Sequence, residues 1–173
     1  PVLMSLSSTA SPARAPPARA GEIDTVFAPH AAARTGTLDH AGGDTLLTAY
    51  VRPAEDGLNR VDYRSFKANG HKPLKAYVKS LEAVDVGRLD RPEQFAYWAN
   101  LYNARTIDIV LDNYPVKSIR DINLGGGLFA AITGGPWKSK VVTVNGQSLS
   151  LDEIEHTILR GLFRDDRVHF AVN

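Results

Sequence analysis

The chain has 173 residues, 43% of them hydrophobic, enough to bury a core and suited to one domain. Twenty basic and nineteen acidic residues leave a formal net charge of +1, and no Arg/Lys stripe interleaved with aromatics appears, so no nucleic-acid partner is implied. The absence of cysteine excludes disulfides and thiolate metal sites within these residues, and no apolar run is long enough to span a bilayer.

Residues 1–20 differ in composition from the rest. Pro1 to Ala10 is small and mildly apolar, and Ser11 to Ala20 is a Pro/Ala/Arg low-complexity stretch. Two readings stand side by side: the remnant of an export signal, with Ser8-Thr-Ala10 or Ala18-Arg-Ala20 as the cleavage site, or a disordered linker. The first places the mature protein in the periplasm or outside the cell.

From residue 21 the pattern is globular. Asp44 to Val51 suits a short amphipathic helix, followed by a loop from Arg52 to Gly57. Val61 to Phe66 alternates apolar and polar residues but is too short to assign. Pro73 fits the first position of a helix running from Leu74 to about Ala83, with Leu74, Tyr77, Val78 and Leu81 on one face. Arg91-Pro-Glu-Gln opens the longest helix, which runs to about Asn113. Phe95, Trp98, Tyr102, Ile109 and Val110 repeat on it at helical spacing, and Leu101, Ala104 and Leu111 widen the apolar face, as expected of a central helix. Arg105, Asp108 and Asp112 form a separate stripe, read as the wet side. Pro115 ends the helix, and Gly125-Gly-Gly127 and Gly134-Gly-Pro136 read as loops.

Lys140-Val-Val-Thr-Val144, Asn145-Gly146 and Gln147-Ser-Leu149 predict a β-hairpin with a type I′ turn. Ser150 with Glu153 three positions on forms a capping box for a helix carrying Leu151, Ile154, Ile158 and Leu159 and terminated by Gly161. His169 then falls in a short β-like run. Helices early and strands late argue for an α+β fold, not an alternating βαβ one.

Three places could carry chemistry. Asn100 and Asn103 lie one turn apart on the long helix, either as a structural hydrogen-bond network or to orient a substrate or a histidine. His156 follows Glu155, but sequential neighbours on a helix point about 100° apart. Asp152 or Glu153, four and three residues earlier, is better placed to hold the imidazole, although the capping box also claims Glu153. His169 is read as a solvent-facing strand residue. No spacing supports a metal, no cofactor is implied, and Gly125-Gly-Gly127 lacks the context of a phosphate loop.

From Tyr50 to Asn173 the order of motifs resembles the bacterial and plant family known as domain of unknown function 547. The motifs are Asp56-Gly-Leu58, Val61-Asp-Tyr63, Phe95 through Ala104, Tyr114-Pro-Val-Lys-Ser-Ile-Arg-Asp121, Ile154-Glu-His156 and His169-Phe-Ala-Val-Asn173. The resemblance implies a fold near the papain and transglutaminase thiol enzymes, and a cysteine directly after the His-Phe-Ala-x-Asn segment. It therefore implies that the given residues are the N-terminal two-thirds of a domain, with 21–173 as the folded part. Under this implication His156 is the catalytic base, Glu155 or Glu153 its orienter, and Asn100, Asn103, His169 and Asn173 bind substrate. The expected function is that of an exported thiol hydrolase or transferase on a peptide-like or acyl substrate, inactive as this fragment. The alternative is a non-catalytic domain binding a small-molecule or peptide-like ligand or a protein. A missing cover over the central helix would also make the truncated chain self-associate.

Overall fold

A computed structural model describes residues 36–122 and 135–172, together with Ile23 and Phe27. The elements are α1 (Ala41–Tyr50), β1 (Val51–Pro53), β2 (Asn59–Val61), α2 (Tyr63–Ser65), a π-helical stretch (Phe66–Gly70), α3 (His71–Glu82), α4 (Arg91–Asn113), β3 (Lys140–Val144), β4 (Gln147–Ser150), a π-wound helix (Glu153–Phe163) and α5 (Val168–Ala171). Helices dominate and the strands form two separate antiparallel pairs, β1 with β2 and β3 with β4. The class is α+β, as expected, although the β1–β2 pair precedes the longest helices and the strands are not confined to the end of the chain.

Helix α4 is the axis of the structure. Asp90 caps it by accepting from the Glu93 amide at 2.9 Å, and Pro92 occupies the first turn, where a missing amide costs nothing. Trp98, Tyr97, Leu101, Ile109 and Leu111 on it are essentially inaccessible, and α3 and the Glu153 helix pack against it. Phe27 meets Trp98 edge-on at 4.9 Å, and the Tyr97 hydroxyl donates to the Leu81 carbonyl at 3.0 Å. Gln94 donates to the carbonyls of Val86 and Leu89, so one buried amide ties the connection between α3 and α4. One apolar cluster runs from Ile23 through α3 and α4 to Val168.

The hairpin and the capping box form as their residues demand. Asn145 and Gly146 take positive φ of 48° and 78°, the conformation a type I′ turn requires. The Ser150 hydroxyl accepts from the Glu153 amide at 3.2 Å, and Glu153 accepts from the Ser150 amide at 2.8 Å. Leu151, Ile154, Ile158 and Leu159 are all buried.

Several expectations are corrected. Strand β1 takes Val51, read as the end of the helix, and runs to Pro53 inside the segment read as a loop from Arg52. Val61 ends β2, and Asp62 caps the turn that follows by accepting from the Ser65 amide. Helix α3 starts at His71, continuing from the π-helical stretch, so Pro73 stands third; it is still in the first turn, where its ring is tolerated. Gly161 does not end its helix, which continues to Phe163. There Arg164, at φ 52°, adopts the left-handed conformation that stops the winding. The run holding His169 is not a strand. The Phe170 and Ala171 amides donate to the Arg167 carbonyl, closing a helical turn that buries Val168 against the Glu153 helix.

The largest correction concerns Asp108. Its side chain is 1% exposed, not on a wet face. Arg105 pairs with it, while His71 Nε2 and Lys75 Nζ approach its Oδ1, each at 2.9 Å. Asp112 shares Lys75 at 2.9 Å and His71 at 3.4 Å. A buried carboxylate is tolerated because three cationic or protonatable groups surround it. The readings of 1–20, Gly125–Gly127 and Asn173 fall outside the described residues.

Candidate functional site

Asn100 and Asn103 line one pocket, as their spacing of a single turn allows. The pocket lies between α1, α3 and α4, with a volume of about 60 Å³. Leu46, Phe66 and Leu74 form its apolar wall, with Asp44 and the half-buried Tyr77 beside them. Among the described residues the Asn100 amide has no hydrogen-bond partner. Asn103 is engaged: its Nδ2 donates to the Ala171 carbonyl at 2.6 Å and holds α5 against α4.

Tyr77 completes the polar part of the wall. Its hydroxyl lies 3.1 Å from His40 Nδ1. Burial pushes its pKa up, and the negative charges of Asp44 and Asp39 add to that, so the hydroxyl stays protonated. Asp44 is exposed in the first turn of α1 and is the one charged residue lining the pocket.

A second polar group joins α4, the Glu153 helix and α5. The Tyr102 hydroxyl donates to Glu155 Oε2 at 2.9 Å, and Arg160 Nη2 donates to Glu155 Oε1, also at 2.9 Å. Arg160 Nη1 in turn lies 3.3 Å from His169, and Trp137 stacks on Tyr102 with ring centroids 6.5 Å apart. Burial raises the Glu155 pKa, but the bonds from Arg160 and Tyr102 outweigh it and leave the carboxyl below its ordinary range. Burial, followed by the bond to Glu155, drives the Tyr102 hydroxyl far upward. Glu155 is thus a fixed anion and Tyr102 a fixed donor, an arrangement that orients groups and does not exchange protons near neutral pH.

The other candidates stand apart from this group. His156 is 58% exposed, with Nε2 3.9 Å from Asp152 Oδ1, the partner that the four-residue spacing selects. Glu153 is committed to Lys140 and to the Ser150 cap. His71, Asp108 and Asp112 could offer three ligand atoms to a metal ion, a combination the sequence reading did not find. Lys75 Nζ already bridges both carboxylates there, so the cluster is an ion-pair network with its positive charge supplied by the chain.

Tyr102, Arg160, Asp44 and Tyr77 were not singled out by the sequence. Tyr102 stood inside the Asn-Leu-Tyr-Asn run, but its apolar spacing marked it only as core. No local signal pairs Asp44 with Asn100, more than fifty residues away.

No helix among the described residues is long and apolar enough to cross a membrane. The chain has no significant match among curated proteins or solved structures. A family model described as "Protein of unknown function, DUF547" matches residues 86–173, a span that holds α4, the β3–β4 hairpin, the Glu153 helix and α5. The motifs along those elements and this match agree, and the chain belongs to that family.

Proposed function

We propose that this protein binds a small-molecule or peptide-like ligand in the pocket between α1, α3 and α4. The observation that carries the reading is the Asn100 amide, which lines an apolar-walled pocket and lacks a partner among the described residues. A few polar groups set in an apolar concavity are the usual form of a small-ligand site. An amide with both donor and acceptor capacity suits a peptide-like group. The test is a fragment screen on the 173-residue chain by amide NMR, repeated on Asn100→Ala. Fragments that shift resonances of α1 and α4, and lose affinity in the variant, support it. A screen in which no fragment perturbs these residues removes it.

The thiol hydrolase or transferase reading has its own support. The Asn103 bond to Ala171 holds the turn before Asn173 against α4, and the approach of Arg160 to His169 ties it to the Glu153 helix. The family resemblance puts a cysteine immediately after Asn173, and these 173 residues contain none. Alkylation of a gene product carrying it, followed across pH, decides the matter. An apparent thiol pKa well below the free value of about 8.5, relaxed by His156→Ala, supports thiol chemistry, and an ordinary thiol excludes it. Export to the periplasm or beyond belongs to the same proposal and rests on the composition of residues 1–20. Self-association is a separate proposal, supported by the 92% exposure of Phe170 on α5 and tested by sedimentation.

A further inference from the structure

Building on the ligand-binding reading, we infer that the pocket between α1, α3 and α4 selects a primary alkylammonium group on a short apolar stem. The charge pattern carries this inference. Asp44 is the one charged side chain lining the pocket, and among the described residues it has no hydrogen bond or ion pair. No lysine or arginine lines the pocket to neutralise it. The Asn100 oxygen is an acceptor, and the Tyr77 hydroxyl can turn a lone pair inward while remaining protonated. Three acceptors match the three N–H donors of an ammonium, and a carboxylate ligand would meet Asp44 as a like charge. Leu46, Phe66 and Leu74 provide the apolar wall for the stem, and Leu47, 44% exposed, extends it at the rim.

Size narrows the ligand further. About 60 Å³ is several times what one water needs, roughly 10–15 Å³, yet far too little for a folded partner. It suits one side chain or a small free amine. Lysine in a peptide and a free alkylamine share this chemistry.

The experiment titrates the 173-residue chain with n-butylammonium, 1-butanol, butyrate and Nα-acetyl-lysine methylamide by amide NMR. The ammonium is expected to bind about threefold to fivefold more tightly than 1-butanol at low salt, and butyrate more weakly than either. Asp44→Asn, a near-isosteric change at an exposed position, should erase the advantage over 1-butanol while the amide spectrum away from the pocket stays unchanged. Raising the salt from roughly 20 to 200 mM should shrink it too, because an exposed charge is screened. A lysine derivative binding more tightly than n-butylammonium identifies a peptide source, and equal affinities identify a free amine. Butyrate or 1-butanol binding as well as the ammonium, or an unchanged preference in Asp44→Asn, overturns the inference. In that case the pocket remains a ligand site if those neutral or anionic probes still shift α1 and α4. If no probe and no fragment of any charge binds, the ligand-binding reading falls with it.

Discussion

Two polar groups sit on the same helix, α4, and their environments are opposite. At Asp108 a carboxylate is taken almost wholly out of water, and His71, Lys75 and Arg105 converge on it. Just over two turns earlier, the Asn100 amide faces a pocket without a partner among the described residues. A buried charge survives only when its surroundings satisfy it, so the Asp108 group is a closed structural network. An unsatisfied amide in an open pocket costs little while water reaches it, and it leaves a donor and an acceptor for something else. The same helix therefore carries one carboxylate whose charge the chain itself meets and one amide left open, which the proposal above assigns to a ligand.

The contrast is broken most severely at Asp108. Asp108→Ala leaves His71, Lys75 and Arg105 crowded without their shared anion, and losing one member of a buried pair costs several kcal/mol. Lys75 is nearly half exposed and can turn to water or keep Asp112, which places the loss at about 3 kcal/mol, near the lower end for such pairs. Urea denaturation should show the midpoint falling with the slope unchanged. A loss below about 1 kcal/mol would mean that the network is ornamental.

A second strong effect is steric. Gly70, the last residue of the π-helical stretch, lies beside the stacked rings of Tyr50 and Phe66, whose centroids are 4.3 Å apart. A Cβ on Gly70 would come within 2.6 Å of Phe66 Cδ2 and 2.8 Å of Tyr50 Cζ. Gly70→Ala should cost about 2 kcal/mol by overpacking, despite the better helix propensity of alanine. Because Phe66 also lines the pocket, this variant should lower ligand affinity as well as thermal midpoint. Asp108→Ala should affect stability first.

The capping box gives a smaller, pH-linked effect. Ser150→Ala removes the acceptor for the Glu153 amide and should cost about 1 kcal/mol. Burial raises the Glu153 pKa, but the Lys140 and Ser150 bonds outweigh it and hold the carboxyl below its ordinary value of 4.5. A depressed folded-state value means the stabilisation is fully present above the unfolded pKa and is lost as pH falls through the folded one. Stability should therefore fall below about pH 4.5, and Glu153→Gln should flatten that part of the acid limb. Glu155, depressed in the same direction by Arg160 and Tyr102, leaves a residual slope. A Glu153→Gln curve parallel to wild type would contradict the assignment.

What could be read from the sequence divides along similar lines. The hairpin turn, the Ser150–Glu153 box and the full extent of α4 were legible because each is decided by residues within a few positions of one another. The wet reading of Asp108 failed because its partners His71 and Lys75 arrive from α3, the histidine 37 residues away. Nothing local distinguishes such an aspartate from a solvated one. Val168, Phe170 and Val172 alternate like a strand, yet α5 is helical because tertiary packing buries Val168. Gly161 misled for a related reason: it lies inside a π-wound helix, where a side chain in its place would meet the His156 carbonyl at 3.2 Å, and the left-handed stop falls three residues later at Arg164. At the candidate site the asparagine pair was visible and the pocket was not. Asp44, Phe66 and Tyr77 reach it from other elements, and only the tertiary fold brings them there.

The sharpest form of the comparison is the smallest in stability. Asn100→Ala removes no hydrogen bond to another described residue, so the folded state should change by less than about 0.5 kcal/mol, the ordinary range for a substitution away from such features. The same change should abolish the amide-dependent part of ligand affinity, about tenfold for a lost hydrogen bond of about 1.4 kcal/mol in a partly desolvated pocket. Asp108→Ala should do the reverse, with a large loss of stability and, at temperatures where the protein remains folded, little change in affinity. Measured together by calorimetry and titration, the two variants form a crossed pair. If Asn100→Ala destabilises by more than 1 kcal/mol, the amide has a structural partner after all. The pocket would then be one more closed network on α4, and the case for a ligand would rest on Asp44 alone.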